Sequence, residues 1–131
     1  MSEELTHRDR TTDLGAVRIN NEAISTIASL AAMEVKGVQR MGGGLARTLY
    51  EIFTRRAQKG VTIDMRESEV RLTVSIIVDY GVNIPKIADE VQENVKRAVE
   101  KMAGLLLAEV NIVVEGVQAP QGGEKKQGGL A

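Results

Sequence analysis

The sequence predicts an α+β domain of two layers, with helices on one face of a mostly antiparallel sheet of three or four strands. Three observations carry that prediction. Apolar residues alternate with polar ones along Val70, Leu72, Val74, Ile76 and Val78, the period of a strand with one buried face. They recur at helical spacing along Ile24, Ile27, Ala28 and Ala31, and again along Ile87, Val91, Val95 and Val99. The two patterns exchange along the chain in the order β-α-(α)-β-β-α-β, and a helix with a single apolar stripe needs a sheet face to cover. The order matches a split βαβ arrangement.

Each element has its own signal. Val17 and Ile19 flank Arg18 and suggest a short first strand. Asn20 or Asn21 can cap the helix that follows, with Glu22 placed where a negative charge suits the dipole. That helix carries apolar residues to Val35, and its alanines imply close packing against a sheet; Gly37 stops it. Met41–Gly44 reads as a flexible break. Leu45 to about Gln58 has the pattern of a second, shorter helix, ended by Gly60. Val61, Ile63 and Met65 alternate, a polar turn follows at Glu67–Glu69, and the long strand to Val78 returns, so the pair reads as a hairpin. Asn83 and Pro85 open the next helix, because proline's missing N–H costs nothing in a first turn. Its apolar face runs Ile87, Ala88, Val91, Val95, Ala98, Val99 and Met102, and Gly104 ends it. Val110, Ile112 and Val114 form the last strand.

The hydrophobic pattern occupies the 104 residues from Gly15 to Gln118. A chain of that size buries roughly two-thirds of its unfolded surface and folds without a metal or disulfide. Residues 1–14 and 119–131 lack the pattern and read as disordered tails around a single domain of residues 15–118. Residues 1–14 lack the apolar core of a signal peptide. No apolar run reaches the roughly 20 residues that span a bilayer. The 17 basic and 18 acidic residues are mixed and nearly cancel, so no global field draws the chain to DNA or anionic lipid.

Catalytic chemistry finds few carriers. The chain has no cysteine, which fits a reducing cytoplasm and removes thiolate nucleophiles and cysteine–zinc sites. Its one histidine, His7, falls in the expected tail. The common nucleophile–base pairs are therefore excluded, leaving only serine–lysine or paired-carboxylate arrangements. Glu67 and Glu69 flank a turn, and Asp89, Glu90 and Glu93 share a helix face with lysine and arginine, so both groups read as solvated surface. No cofactor or metal is expected. An RNA-binding reading competes, because a KH domain has a similar element order. Its Gly-x-x-Gly clamp is absent, however, since Arg40 follows Gly37 and Leu45 follows Gly42 at the required spacing. The three aromatics, Tyr50, Phe53 and Tyr80, do not sit mid-strand where bases would stack. The sequence therefore argues against nucleic acid as a partner.

The positive signal is the stretch 45–59, which places Arg47, Arg55, Arg56 and Lys59 against one acid, Glu51, with Leu49 and Phe53 on its apolar side. A basic amphipathic helix of this kind docks on a partner, a membrane surface or the edge of its own core. Ile77 and Val113 interrupt the polar face of their strands and complete the candidate interaction surface.

Residues Val78 to Val117 resemble the signature half of the alkaline shock protein family. The specific parts are Tyr80-Gly-Val-Asn-Ile-Pro85 and Glu109-Val-Asn-Ile-Val-Val-Glu-Gly-Val117; VRINNEAISTIASLAAMEVKGVQRM before them also fits. Lys86 stands where an acid is frequent and Ala103 where threonine is. The resemblance implies a cytoplasmic protein of Gram-positive bacteria without known catalysis, linked to envelope homeostasis and stress. It further implies a homo-oligomer held beneath the membrane by a membrane-anchored partner, with any membrane association indirect. It supplies no catalytic residues.

Overall fold

The computed structural model describes residues 9–43 and 60–120. In chain order these form β1 (Asp9–Thr12), β2 (Gly15–Arg18), α1 (Asn21–Met33), β3 (Val38–Met41), β4 (Val61–Arg66), β5 (Glu69–Asp79), α2 (Ile84–Ala103) and β6 (Leu107–Gln118). The α+β class and the order of the expected elements are present. The expected helix over 45–58 lies outside the described residues.

β5 is the axis of the main sheet. β6 pairs with it in parallel from Val70↔Leu107 to Asp79↔Gln118, while β3 and β4 pair antiparallel along its other edge. A parallel return needs a long crossover, and α2 supplies it. Two of the three pairings are thus antiparallel, and the hairpin between β4 and β5 is the one the alternation predicts. β3 and β4 lie end to end: Met41 pairs with Ile76 and Val61 with Val74. Between them, Ser75 donates to the Gly60 carbonyl at 2.7 Å and accepts from the Gly42 N–H at 2.8 Å. They form one edge, interrupted in sequence but not in space, and a Cβ on Gly43 would sit 3.8 Å from the Gly60 nitrogen.

The inner face of β5 contributes Val70, Leu72, Val74, Ile76 and Val78, all fully buried. α1 adds Ile24, Ala28, Ala31 and Ala32; α2 adds Ile87, Val91, Val95, Val99 and Ala103; Leu105, Leu107 and Val110 complete the cluster. Both helices therefore cover the same sheet face. α1 begins at the Asn20 cap, whose side chain accepts from the Ala23 N–H. α2 begins at Asn83, which accepts from the Lys86 N–H at 3.1 Å, and ends at Gly104 in a left-handed cap.

Four details depart from the sequence reading. α1 ends at Met33 rather than running to Gly37, because the chain must tighten through Glu34 and Val35 to place Val38 beside Val78. Val35 still packs on the core from that turn. β3 falls partly in the expected break at Met41–Gly44. Met102 is 67% exposed, since Ala103 and Leu105 take the core positions at that end. The expected first strand forms as β2, yet it pairs with β1 in a separate two-stranded ribbon. Residues 9–12, which the sequence assigns to the N-terminal tail, supply β1. Thr11 and Thr12 are β-branched, and the Thr12 hydroxyl accepts from the Leu14 N–H at 3.1 Å to shape the turn.

The β4–β5 hairpin turns on Glu67 (φ 47°) and Ser68 (φ 70°), a left-handed pair held by two non-glycine residues. That geometry favours Asn-Gly. Replacing both, Glu67→Asn with Ser68→Gly, is expected to stabilise the fold by about 1 kcal/mol, seen as a rise of roughly 4–8 °C in Tm.

One ion cluster fastens α2 to β6. The Glu100 carboxylate accepts from the Leu107 backbone N–H and from Lys96 Nζ, both at 2.9 Å. The backbone donor first, and Lys96 second, hold its pKa below the usual glutamate value. A depressed carboxylate contributes stability that is complete above its unfolded pKa, about 4.3, and is lost as pH falls through the folded value. Glu100→Gln is therefore expected to lower stability at pH 7 by roughly 1–3 kcal/mol and to flatten the loss between pH 5 and 3 in urea titrations.

Candidate interaction surface

Among the described residues no element covers the other sheet face, and pairing register fixes what it presents. Its rows across β4, β5 and β6 are Asp64, Arg71 and Glu109, then Thr62, Thr73 and Asn111. Ser75 and Val113 follow, and then Arg40, Ile77 and Gly116 across β3, β5 and β6. The face is made largely of short side chains. At one end Arg71 is held by Glu69 at 2.8 Å and Glu109 at 3.5 Å, and Asn111 donates to the same Glu109 oxygen at 3.2 Å. At the other, Glu115 reaches across β5 so that its Oε1 accepts from the Gly43 N–H at 2.8 Å. Arg71, Glu109 and Glu115 are thus held in place, Arg40 stands exposed, and the centre of the face is a ledge of Thr73, Ser75, Asn111 and Val113.

The two sheet residues singled out from sequence behave differently. Val113 is 43% exposed on the ledge, as the alternation predicts. Ile77 lies on the same face but is only 8% exposed. Its Cδ1 comes within 3.3 Å of where a Cβ on Gly116 would be, so it fills the space that the glycine leaves beside it. The alternation gave the face correctly and could not show the lateral neighbour that shields it. Arg47, Leu49, Phe53, Arg55, Arg56 and Lys59 lie outside the described residues.

The helix side carries a shallow groove of about 430 Å³ between α2 and the start of β6, lined by Gln92, Glu93, Lys96, Leu107, Glu109 and Asn111 among others. Gln92 donates across it to the Val110 carbonyl at 2.9 Å, which gives that strand group a partner. No histidine or cysteine lines the groove, and among the described residues no three His, Cys, Asp or Glu converge as a metal site would require. Lys96, its one basic group, is engaged by Glu100. The groove therefore offers amide and carboxylate hydrogen bonding without a poised nucleophile. No helix among the described residues is long and apolar enough to cross a membrane.

Sequence reasoning missed one feature of this surface. β6 runs for 12 residues and, among the described residues, pairs only with β5.

Comparison with known proteins gives the following. The profile of the alkaline shock protein 23 family, described by a cell envelope-related function, matches residues 9–119. The uncharacterized protein YqhY of Bacillus subtilis (strain 168) is 39% identical over 116 residues, spanning 88% of this chain and 84% of that one. The uncharacterized protein YloU of the same organism is 33% identical over 110 residues, spanning 82% and 92%. A stress response regulator gls24 homolog of Streptococcus pyogenes is 25% identical over 119 residues, spanning 88% of this chain and 66% of its own length. Among solved structures, MamM-CTD superposes with a TM-score of 0.48 at 18% identity, over 74% of this chain and 98% of that one.

Proposed function

Because the chain belongs to the alkaline shock protein 23 family, whose description is a cell envelope-related function, we propose that it is a non-enzymatic scaffold of the envelope stress response. It works by associating with copies of itself and by binding a membrane-anchored partner, on the cytoplasmic side of the membrane. The stress-regulator name borne by its streptococcal relative supports the setting.

The observation that carries the reading is the uncovered sheet face. Two helices cover one side of the sheet, while among the described residues the other is a ledge with Arg71 and Glu115 held at its ends and Val113 exposed at its centre. Such a surface loses little side-chain freedom when covered, so contact there is favourable for a modest buried area. The basic stretch 45–59 belongs to the same proposed surface, because the described residues that precede and follow it, Gly42 and Gly60, both hydrogen-bond Ser75.

Light scattering on the purified full chain tests the self-association. A mass well above 14.2 kDa at micromolar concentration is expected, and a monomer throughout would overturn it. Sedimentation with membranes tests the partner. The chain is expected to ignore protein-free anionic liposomes, given its net charge of −1. It is expected to bind inverted vesicles from a Gram-positive host, and to lose that binding when the vesicles are first treated with protease. Equal binding to bare liposomes would replace the partner with lipid.

A further inference from the structure

Among the described residues, two parts of the fold have no packing partner that their geometry calls for. The β1–β2 ribbon is a two-stranded sheet of four residues a side, and its substantial packing among the described elements is only within itself. β2 is exposed at every position, with Val17 57% and the turn residue Leu14 98% accessible. A two-stranded ribbon is marginal in water, and a third strand or a packing surface is what stabilises one. The second part is the outer edge of β6, roughly 40 Å of strand at ~3.3 Å per residue. Proteins blunt such edges with short strands, inward charges or covering elements. The opposite edge of the sheet is blunted in this way, being split into β3 and β4 with a register irregularity and charges at Arg40, Asp64 and Arg66. The β6 edge is long, and Gln92 engages only its Val110 carbonyl.

We infer that the β1–β2 ribbon of one copy adds to the free edge of β6 in the next, with β2 as the adjoining strand. The inference rests on the self-association proposed above, places the contact between copies at the β6 edge, and leaves the sheet ledge to the membrane-anchored partner. Only Ile19 and Asn20 separate β2 from α1, and α1 packs over β3, β4 and β5. The ribbon therefore leaves the body on the side away from β6, and a second copy's edge is the one it meets. Charge agrees: β2 carries Arg18 and no acid, whereas β6 carries Glu109 and Glu115 and no base. Donor and acceptor are different surfaces, so the contact is head-to-tail and propagates into rings or filaments instead of stopping at a two-fold dimer. Strand addition to an exposed edge is an established recognition mode, with main-chain hydrogen bonds giving the affinity.

The chain contains no cysteine, so the introduced thiols are the only ones that can cross-link. Val17→Cys protein is mixed with Asn111→Cys, Val113→Cys or Glu115→Cys protein under mild oxidation. A disulfide-linked pair is expected in at least one mixture and in none of the single variants. In parallel, Val17→Pro removes a ribbon N–H far from the core; it is expected to leave Tm unchanged and to weaken assembly roughly tenfold or more. Cross-linking of Val17→Cys with itself, or of β6 variants with themselves and not in the mixtures, would overturn the inference in favour of like-to-like pairing. Assembly that is unchanged by Val17→Pro, with no mixed cross-link, would also overturn it while leaving self-association intact. A wild-type chain that stays monomeric would remove both.

Discussion

Leu72→Ala is expected to destabilise the protein by about 2–5 kcal/mol. Leu72 is fully buried in β5, with Ile63 beside it on one neighbouring strand and Val110 on the other. It belongs to the cluster that both helices cover. Truncation removes the transfer energy of the side chain and leaves a cavity that strands fixed on both sides cannot collapse into. For a domain of this size, with total stability of roughly 5–15 kcal/mol, a loss near 3 kcal/mol lowers Tm by roughly 12–24 °C. Leu106→Ala, at a position 69% exposed, is the control and should stay within about 0.5 kcal/mol. A loss below 1 kcal/mol for Leu72→Ala in urea melts would mean that the helices do not cover this part of the sheet.

Gly60→Ala is the second large effect, expected at about 2–4 kcal/mol. Two causes add. Gly60 has φ +80°, a conformation that costs an L-residue roughly 1–2 kcal/mol. A Cβ there would also lie 2.9 Å from the Ser75 carbonyl oxygen and 3.2 Å from the Met41 side chain, an overpacking of the kind that costs about 1–3 kcal/mol. The Ser75 carbonyl cannot retreat, because it accepts the Gly42 N–H that joins β3 to the sheet. Gly104→Ala separates the causes. It has φ +70°, yet a Cβ there would meet nothing within 4 Å, so it should show the conformational cost alone. Equal losses for the two substitutions, measured by thermal melts, would deny the close approach at Gly60.

These positions also show what the sequence could and could not tell. The inner face of β5, the stripe of α2 and the caps at Asn83 and Gly104 follow from periodicity and local chemistry, and those are properties of neighbouring residues. β3 escaped because four residues hold only two apolar ones, and its stability comes from β5, far along the chain. The parallel partnership of β5 and β6 is likewise a matter of which edge the α2 crossover returns to. β1 escaped because Asp9–Thr12 carries no apolar residue, so only β-propensity spoke for it. The exposure of Val113 was legible from alternation. Ile77 was not, since its shielding depends on a glycine 39 positions away.

The interrupted edge has a consequence for how this fold diversifies. Strands β3 and β4 stay collinear whatever is threaded between Gly43 and Gly60, because each is held independently by β5. The chain-closure term for that interval grows only logarithmically, so doubling its length adds roughly 0.6 kcal/mol. The position is thus a cassette site. An engineer can graft a reporter or a binding peptide there while the two-layer body stays the same.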